Sequence, residues 1–376
     1  MSEPFSIHIP DAVIGDLKQR INNTRWPDQI PGSGWDYGTD TAYLRELLAY
    51  WADGFDWRAV EARLNSFPHY QAEIDRLRIH YIHAPSARDD ALPLLLLHGW
   101  PSSFVQMLDV LPLLNDPDNH GAPGAPAFHV VVASLPGYGF SSLPDFRGVG
   151  FPQTAARLTT LMHDILGYQR YGLRGSDLGA NTSVQMALAH PEQVAGVHLS
   201  GIIGALGVSE PPRFTAAEQD FIKASAAIEG EIAYARMHMS KPQTLGQALN
   251  DSPAGLAAWI IEKFRAWGDT GGDIEFRFSK DDLLTNLMIY WATGTINSSV
   301  RMYYEFVRDR GLTGKVEVPV GMLMSHKDLF PPAPREFGER LYNVQRWTDT
   351  HVGGHFLEWE EPALVASELR AFFGTL

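Results

Sequence analysis

The residues best placed to do chemistry lie around Asp177, in the stretch Tyr171–Ala180. Gly175 and Gly179 stand two residues before and after Asp177, which is the spacing Gly-x-nucleophile-x-Gly. In that motif a strand turns sharply into a helix and exposes one side chain at the top of a sheet. Glycine is favoured on both flanks because a Cβ atom would crowd the turn. The spacing predicts that Asp177 is an attacking group, although the motif alone is equally compatible with an ordinary strand–turn–helix and a capping aspartate.

A nucleophilic aspartate needs partners that release the ester it forms. Its carboxylate, with an ordinary pKa of about 4, is already ionised at neutral pH and needs no base to activate it. The second step needs a general base for water and an acid that orients this base. In the order nucleophile, acid, histidine, both should follow the elbow at the ends of late strands. Asp328 follows the apolar strand pattern 316–324, and His355 lies in Gly-Gly-His-Phe before the last helical pattern. We therefore predict Asp328 as the acid and His355 as the base.

Other assignments for these positions stay open. The chain has 14 histidines, so a surface or capping role is an alternative for His355. Glu358 or Asp349 could replace Asp328 as the acid. His351 and His355 are four residues apart, which is the spacing of a metal-binding pair on one helix face. The two glycines between them disfavour such a helix, so we expect no metal site.

Hydrolysis of an ester creates an oxyanion, which must be held by preorganised N–H donors. The backbone N–H of Leu178, directly after the nucleophile, is the first candidate. The second candidate is the N–H of Trp100 in His98–Pro101, because this loop follows the wholly apolar strand pattern 92–97. The alternative for His98–Pro101 is a plain turn between a strand and a helix.

The elements that carry these residues suggest a parallel sheet. Strand and helix patterns alternate over residues 76–204 and resume over 315–376, which is typical of a parallel sheet with helices on both faces. Residues 205–314 between these two parts are helical in pattern and rich in large aromatic side chains. An insertion at this point predicts a lid over the site. Residues 1–75 lack the alternation and are predicted to form a meander that packs on the core and the lid.

Several stretches resemble one known family. The elbow, His98–Pro101, Leu135–Ser142 and Gly353–Phe356 resemble motifs of epoxide hydrolases with the α/β-hydrolase fold. Ile21–Pro27 and Asp251–Ile260 are similar to the N-terminal meander and the lid of the microsomal and juvenile-hormone epoxide hydrolase branch. The resemblance covers nearly the whole chain. It implies a mostly parallel eight-stranded sheet flanked by helices, with an inserted helical lid and an N-terminal meander. It also implies a cofactor-free enzyme that converts an epoxide to a vicinal diol through an aspartyl ester.

The resemblance further implies two lid tyrosines that hold the epoxide oxygen and protonate it. Tyr234, seven residues before Lys241, matches the first position, and Tyr303 matches the second, with Tyr304 as its alternative. A phenol suits this task because it is neutral at pH 7 and can donate to a developing alkoxide. The alternative for each tyrosine is plain packing in an aromatic lid.

Two positions depart from the pattern of this branch, and two functions other than epoxide hydrolysis remain as alternatives. Leu178 stands where tryptophan is often found, and Ser102 stands where glycine is frequent. A haloalkane or haloacid dehalogenase would share Asp177, Asp328 and His355, but Leu178 cannot offer an indole N–H to a departing halide. A non-catalytic small-ligand-binding homologue should lack the nucleophile, the base or the acid, and the sequence has all three.

Composition bounds the partners. The 376 residues carry a formal net charge of −14, which disfavours nucleic acid and anionic lipid as partners. There are no cysteines, no signal-peptide pattern at the N-terminus and no apolar run near the length of a membrane span. We therefore expect a cytoplasmic protein whose partners are a small apolar epoxide and water. The sequence leaves open whether the chain forms a homodimer.

Overall fold

The computed structural model describes residues 2–202 and 214–376, and in this part of the chain nine strands form one sheet. The strands are β1 Ser2–Pro4, β2 His69–Ile74, β3 Leu77–Ala84, β4 Leu92–Leu97, β5 Phe128–Ala133, β6 Tyr171–Ser176, β7 Val194–Ser200, β8 Val316–Ser325 and β9 Tyr342–Thr350. Their order across the sheet is β1-β2-β3-β5-β4-β6-β7-β8-β9. Neighbouring strands are parallel from β5 through β4, β6, β7 and β8 to β9. At the other edge β1, β2 and β3 are antiparallel to one another, and β3 also pairs antiparallel with β5.

Helices cover the sheet and build the insertion. Those of the core and the N-terminal segment are α1 Asp11–Asn22, α2 Thr41–Asp53, α3 Trp57–Leu64, α4 Val110–Asn115, α5 Phe151–Thr160 and α6 Asp177–Ala189. Those of the insertion are α7 Ala216–Ala227, α8 Ala233–Ser240, α9 Pro242–Leu249, α10 Pro253–Trp267, α11 Lys280–Thr293 and α12 Ile296–Phe306. The last three are α13 Arg335–Leu341, α14 Leu357–Glu360 and α15 Pro362–Phe373.

The alternation of strands and helices predicted from the sequence is confirmed. The strand pattern 92–97 coincides with β4, whose residues Leu94–Leu97 are fully buried, as expected for a parallel strand covered on both faces. Eight strands were expected and nine are found. The additional strand is β1, which pairs with β2 at the antiparallel edge of the sheet.

The predicted division at residue 75 does not coincide with a structural boundary. It separates β2 from β3, although these two strands are paired. The pairing runs from His69 opposite Ile82 to Ile74 opposite Leu77. The predicted start of the lid at 205 lies outside the described residues. The helices α7 to α12 stand between β7 and β8, where the insertion was expected.

The N-terminal segment holds the insertion from outside. Helices α1 and α2 both contact α10. Arg20 forms an ion pair with Asp251 at 2.7 Å, and the hydroxyl of Thr39 donates to the carbonyl of Ala258 at 2.7 Å. Because these contacts join residues more than 200 positions apart, the meander fixes the position of α10 over the core. No helix of the described residues has both the length and the apolar character needed to cross a membrane.

A buried histidine pair lies beneath the loop that follows β5. The imidazole of His69 donates from Nε2 to the carbonyl of Leu64 at 2.8 Å, so its Nδ1 accepts from Nε2 of His80 at 2.9 Å. Nδ1 of His80 then accepts from the hydroxyl of Ser134 at 2.9 Å. Every ring nitrogen has a partner only while both rings are neutral. Burial lowers the pKa of both histidines, that of His80 far below its usual range.

The protein should therefore lose stability as the pH falls below about 6.5, because the unfolded chain then binds protons that the buried rings cannot. His80→Gln keeps an acceptor and a donor at this position but cannot titrate. We expect the free energy of unfolding of this variant, measured by urea denaturation between pH 7.5 and 5, to decrease less with falling pH than that of the wild type. The difference between the two slopes should be at most about 1.4 kcal/mol per pH unit. His163→Gln, which changes an exposed histidine paired with Asp164, should keep the wild-type slope below pH 6.5. An unchanged slope in His80→Gln would contradict the assignment.

Candidate active site

The elbow is a close-packed turn at the carboxyl end of β6. Asp177 is the first residue of α6 and has φ of 50°, in the left-handed region that non-glycine residues rarely adopt. A Cβ atom on Gly175 would overlap the backbone of Gly179, and one on Gly179 would overlap the carbonyl of Leu97. Both glycines are thus required for the helix to start so close to β4, and the turn they allow sets the direction of the Asp177 side chain.

The carboxylate of Asp177 is buried and lies against the loop after β4. Its Oδ1 accepts the backbone N–H of Trp100 at 2.8 Å. A Cβ atom on Gly99 would overlap the aspartate, so the loop can approach only because this residue is glycine. Burial raises the pKa of Asp177, while the charge of His355 and the N–H groups of Trp100 and Leu178 oppose that rise. The two backbone donors named from the sequence therefore both act on this carboxylate.

His355 and Asp328 complete the row of side chains. Nδ1 of His355 lies 3.1 Å from Oδ2 and 3.2 Å from Oδ1 of Asp328. On its other side, Nε2 of His355 lies 3.8 Å from Oδ2 of Asp177. Burial alone would lower the pKa of His355, but the hydrogen bond and charge of Asp328, followed by the charge of Asp177, raise it to about 9. The imidazole is therefore protonated at neutral pH and balances two carboxylates.

The two other carboxylates considered from the sequence have different partners. Glu358 is buried in an ion pair with Arg174 at 2.8 Å and also accepts from the side-chain amide of Gln106 at 2.7 Å. Asp349 pairs with His326 at 2.9 Å near the surface. Asp328 is thus the carboxylate that the structure brings to Nδ1 of His355.

His351 does not share a site with His355. Its ring is exposed and packs on His326, with the ring centroids 4.4 Å apart. Among residues 2–202 and 214–376, no group of three or more histidine, aspartate and glutamate side chains is arranged to hold a metal ion.

Two tyrosines from different lid helices meet above the elbow. Tyr234 on α8 and Tyr303 on α12 have ring centroids 6.2 Å apart, and both rings are buried. Burial raises the pKa of each phenol above its usual range, and the charge of Asp177 raises both further. Within the described part of the chain, the hydroxyl of Tyr303 has no hydrogen-bond partner. Tyr304, the alternative to Tyr303, is half-buried and its ring lies under the guanidinium of Arg308.

Trp100 joins the elbow to the lid. Its ring stacks on Tyr234 with centroids 5.0 Å apart and planes 13° from parallel. Helix α11 holds the same loop from behind, because Asn286 donates to the carbonyl of Pro101 and Tyr290 to that of Ser102, each at 2.8 Å. The side chain of Trp100 therefore forms a wall of the site while its backbone N–H binds Asp177.

Two residues of the site were missed in the sequence. His238 is one helical turn after Tyr234, and its ring centroid lies 5.2 Å from that of Tyr234 and 4.8 Å from that of Tyr303. Its Nε2 accepts the indole N–H of Trp259 at 3.2 Å, and burial together with the charge of Lys263 lowers its pKa to about 3. The ring between the tyrosines is therefore neutral. The i, i+4 spacing from Tyr234 was the signal that could have found it.

The other missed residue is Trp267, at the end of α10. Its ring centroid lies 5.1 Å from that of Tyr234 and also 5.1 Å from that of His355. Its carbonyl accepts the backbone N–H of His355 at 2.9 Å. One lid residue thus touches both a candidate proton donor and the candidate base, and nothing in its sequence context distinguishes it from the other tryptophans.

Comparisons with known proteins identify the family to which the chain belongs. Residues 2–107 match the family model "Epoxide hydrolase N terminus", and residues 93–235 match "alpha/beta hydrolase fold". A protein of Stigmatella aurantiaca is 40% identical over 375 residues, which cover 99% of this chain and 85% of the relative. Epoxide hydrolase 1 of Sus scrofa is 36% identical, over 99% of this chain and 88% of its own length.

The comparisons extend to solved structures. The crystal structure of juvenile hormone epoxide hydrolase from the silkworm Bombyx mori superposes with a TM-score of 0.87 at 30% identity, covering 100% of this chain and 94% of that one. The fold is therefore the α/β-hydrolase fold, as expected. With similarity spanning both the N-terminal segment and the core, the chain belongs to the epoxide hydrolase family.

Proposed function

We propose that this epoxide hydrolase converts a small apolar epoxide to a vicinal diol through an ester on Asp177. The observation that carries the proposal is the environment of one carboxylate. Oδ1 of Asp177 is held by the N–H of Trp100, while Oδ2 is left to attack beneath two neutral phenols. Serine-type chemistry would not need phenols there, whereas ring opening needs a proton donor at the departing oxygen.

In the first step, Oδ2 of Asp177 attacks one carbon of the epoxide. A carbon–oxygen ester bond forms as the ring carbon–oxygen bond breaks, and the ring oxygen keeps the electron pair. That oxygen takes a proton from Tyr234 or Tyr303, whose raised pKa ensures that both phenols are protonated beforehand. The phenolate is then neutralised by the proton that His355 carries at rest, which leaves this imidazole neutral.

In the second step, neutral His355 takes a proton from water, and the hydroxide attacks the ester carbon of Asp177. The resulting oxyanion accepts the N–H groups of Trp100 and Leu178, an arrangement of the kind that stabilises tetrahedral intermediates. Collapse breaks the bond between the ester carbon and the alkyl oxygen. The departing alkoxide takes a proton from His355, and the proton of the regenerated carboxyl group returns to this imidazole.

The charge of Asp177 links the two steps. While it is present, it helps to raise the pKa of His355 to about 9 and so keeps the imidazole from acting as a base. Esterification removes the charge, and the pKa of His355 falls toward the range in which a histidine accepts a proton from water. The base is thereby activated only after an ester exists for it to hydrolyse.

The walls of the site support an apolar substrate. Trp100, Trp267, Tyr234 and Tyr303 present ring faces and edges around the elbow, with centroid separations of 5.0 to 6.2 Å. Such rings stabilise apolar groups removed from water and add little cost on binding, because they are already packed against one another. Water is the second substrate.

One observation favours dehalogenation as a second candidate function. The indole N–H groups of Trp100 and Trp267 are buried and, within the described part of the chain, have no hydrogen-bond partner. Indole N–H donors of this kind could receive a departing halide, a role that Leu178 cannot take. Release of bromide from a bromoalkane, compared with diol formation from styrene oxide under the same conditions, separates the two functions.

A single turnover in heavy-oxygen water tests the ester directly. With enzyme in excess over epoxide, we expect the first diol to carry no label, because both of its oxygens come from the epoxide and from Asp177. The label should appear in a peptide containing Asp177 by mass spectrometry. Label in the diol of the first turnover would instead mean direct attack by water and would overturn the mechanism.

The tyrosine pair predicts a second result. Tyr234→Phe and Tyr303→Phe should each slow ester formation by about 10- to 100-fold, since general acid catalysis contributes about 10²- to 10⁴-fold and the two phenols share it. The double variant should lose detectable ester formation in rapid-quench experiments. Tyr304→Phe serves as the matched control and should stay within about twofold of the wild type. If Tyr304→Phe were as slow as Tyr303→Phe, the assignment of Tyr303 as the second donor would be wrong.

Because the charge of Asp177 helps to raise the pKa of His355, removing this charge should lower that pKa. Asp177→Asn removes one of the two carboxylates facing His355 while keeping the size of the side chain. We expect the pKa of His355 to fall below about 9 in an NMR titration of its imidazole. His163, whose ring binds Asp164 and Gln169 rather than residues of the candidate site, provides the internal reference in the same spectra. A pKa of His355 that stays at its wild-type value would remove the basis for base activation by esterification.

A further inference from the structure

Glu360 is a buried carboxylate that touches none of the reacting atoms described above, although its charge contributes to the raised pKa of His355. It ends α14 and accepts three backbone N–H groups, from Gly354 at 2.8 Å, Phe356 at 3.0 Å and Asp269 at 2.7 Å. The first two donors stand directly before and after His355. The third belongs to the lid, two residues beyond the end of α10. One side chain therefore binds the loop of the candidate base and the lid at the same time.

The two segments that Glu360 joins, residues 267–269 and 353–356, also contact each other directly. The carbonyl of Trp267 accepts the backbone N–H of His355 at 2.9 Å. A Cβ atom on Gly354 would lie 2.6 Å from the backbone nitrogen of Asp269, so no side chain fits between the segments. From the lid side, the carboxylate of Asp269 accepts the N–H of Gly353 at 3.2 Å.

An ion pair closes the arrangement at the rim. Arg277 binds Asp269 and Glu361 at 2.8 Å each, and so connects the lid to the residue after Glu360. The segments 267–269 and 353–356 are thus held by one backbone hydrogen bond, by the carboxylates of Glu360 and Asp269, and by the bridging guanidinium of Arg277. We call this contact the lid latch.

Only a carboxylate can make the central interaction. Ionised glutamate has two oxygens that accept and no hydrogen to donate, so it can receive three N–H groups at once. Hydrogen bonds from N–H groups to an ionised acceptor are about twice as strong as neutral ones. Glutamine would turn one of these oxygens into an NH₂ group that faces N–H donors. The result would be a loosened loop around His355 with little change in the shape of the side chain.

We propose that Glu360 is a positioning residue that locks the His355 loop onto lid segment 267–269, and that ester hydrolysis depends on this lock. The proposal rests on the proposed function, because it assigns Glu360 to the second of its two steps. Ester formation uses Asp177 and the lid tyrosines, and neither is bound by Glu360. Hydrolysis requires Nε2 of His355 to reach a water molecule placed against the ester, and a displacement of about 1 Å can cost about 100-fold in rate.

The test compares both steps in Glu360→Gln and in the wild type by rapid quench with styrene oxide. We expect ester hydrolysis to slow by about 10- to 100-fold and ester formation to stay within about threefold. In the steady state, kcat and KM should fall together, so that kcat/KM, which reports ester formation, stays nearly constant. A loss of stability alone would not produce this pattern.

Glu368→Gln is the matched control. Glu368 is also buried and also accepts three donors, two from Arg346 and one from Thr348, each at 2.8 Å, but it binds β9 rather than the His355 loop. This variant should lose stability and keep both rate constants. Asp269→Ala, which loosens the lid latch from the lid side, should slow hydrolysis in the same direction as Glu360→Gln and gives a second route should that variant not fold.

Two results would overturn the proposal. One is a Glu360→Gln or Asp269→Ala enzyme that hydrolyses its ester at the wild-type rate. The other is an equal loss in both steps, which would reduce Glu360 to a general support of the fold. If the wild-type enzyme puts label from heavy-oxygen water into the diol of its first turnover, the proposed function fails and the role of Glu360 fails with it. The two failures are therefore told apart by the wild-type labelling experiment.

Discussion

The structure depends on keeping one negative charge on a buried carboxylate, that of Asp177. A buried carboxylate is costly unless donors or an opposite charge compensate it. At Asp177 that compensation comes from the N–H groups of Trp100 and Leu178 and from the imidazolium of His355. Trp100 can approach this carboxylate only because residue 99 is glycine, and α6 can start beside β4 only because residue 179 is glycine. The close packing of the elbow and the placement of the base are therefore consequences of the same electrostatic requirement.

Much of this could be predicted from the sequence because it follows from topology. Parallel strands expose their carboxyl ends at one edge of a sheet, so residues that follow β4, β6 and β8 must lie near one another. Asp177 and Asp328 were predicted in this way, and the structure places a carboxylate oxygen of each within 4 Å of the His355 ring. The apolar run of β4 is typical of a parallel strand buried on both faces. His355 follows β9 and obeys the same rule. The glycines of the elbow were informative because sterics leave no other residue for these positions.

The rest could not be predicted because it depends on contacts between distant segments. Glu360 and Asp269 are 91 positions apart, and no local pattern marks either of them. His238 and Trp267 belong to a lid in which aromatic residues are so frequent that composition cannot select the ones that face the site. The strand β1 has three residues, one of them a proline, which is too short for a periodic signal. The division at residue 75 was drawn where the strand–helix alternation begins, and this position lies between the paired strands β2 and β3.

The charge of Asp177 affects groups of both the lid and the core. That charge raises the pKa of the two lid phenols and of His355, so in the resting state every proton needed for ring opening is already in place. In the proposed mechanism, ester formation removes this charge and lowers the pKa of His355. The imidazole proton then passes to the phenolate because a phenol holds a proton far more tightly than an imidazole does. A lid held by the N-terminal segment and latched to the His355 loop keeps these groups within reach of that change. In the proposed mechanism the aspartate is the attacking group and also the group that sets the protonation state of its partners, which accounts for the position of the lid tyrosines and the base around one carboxylate.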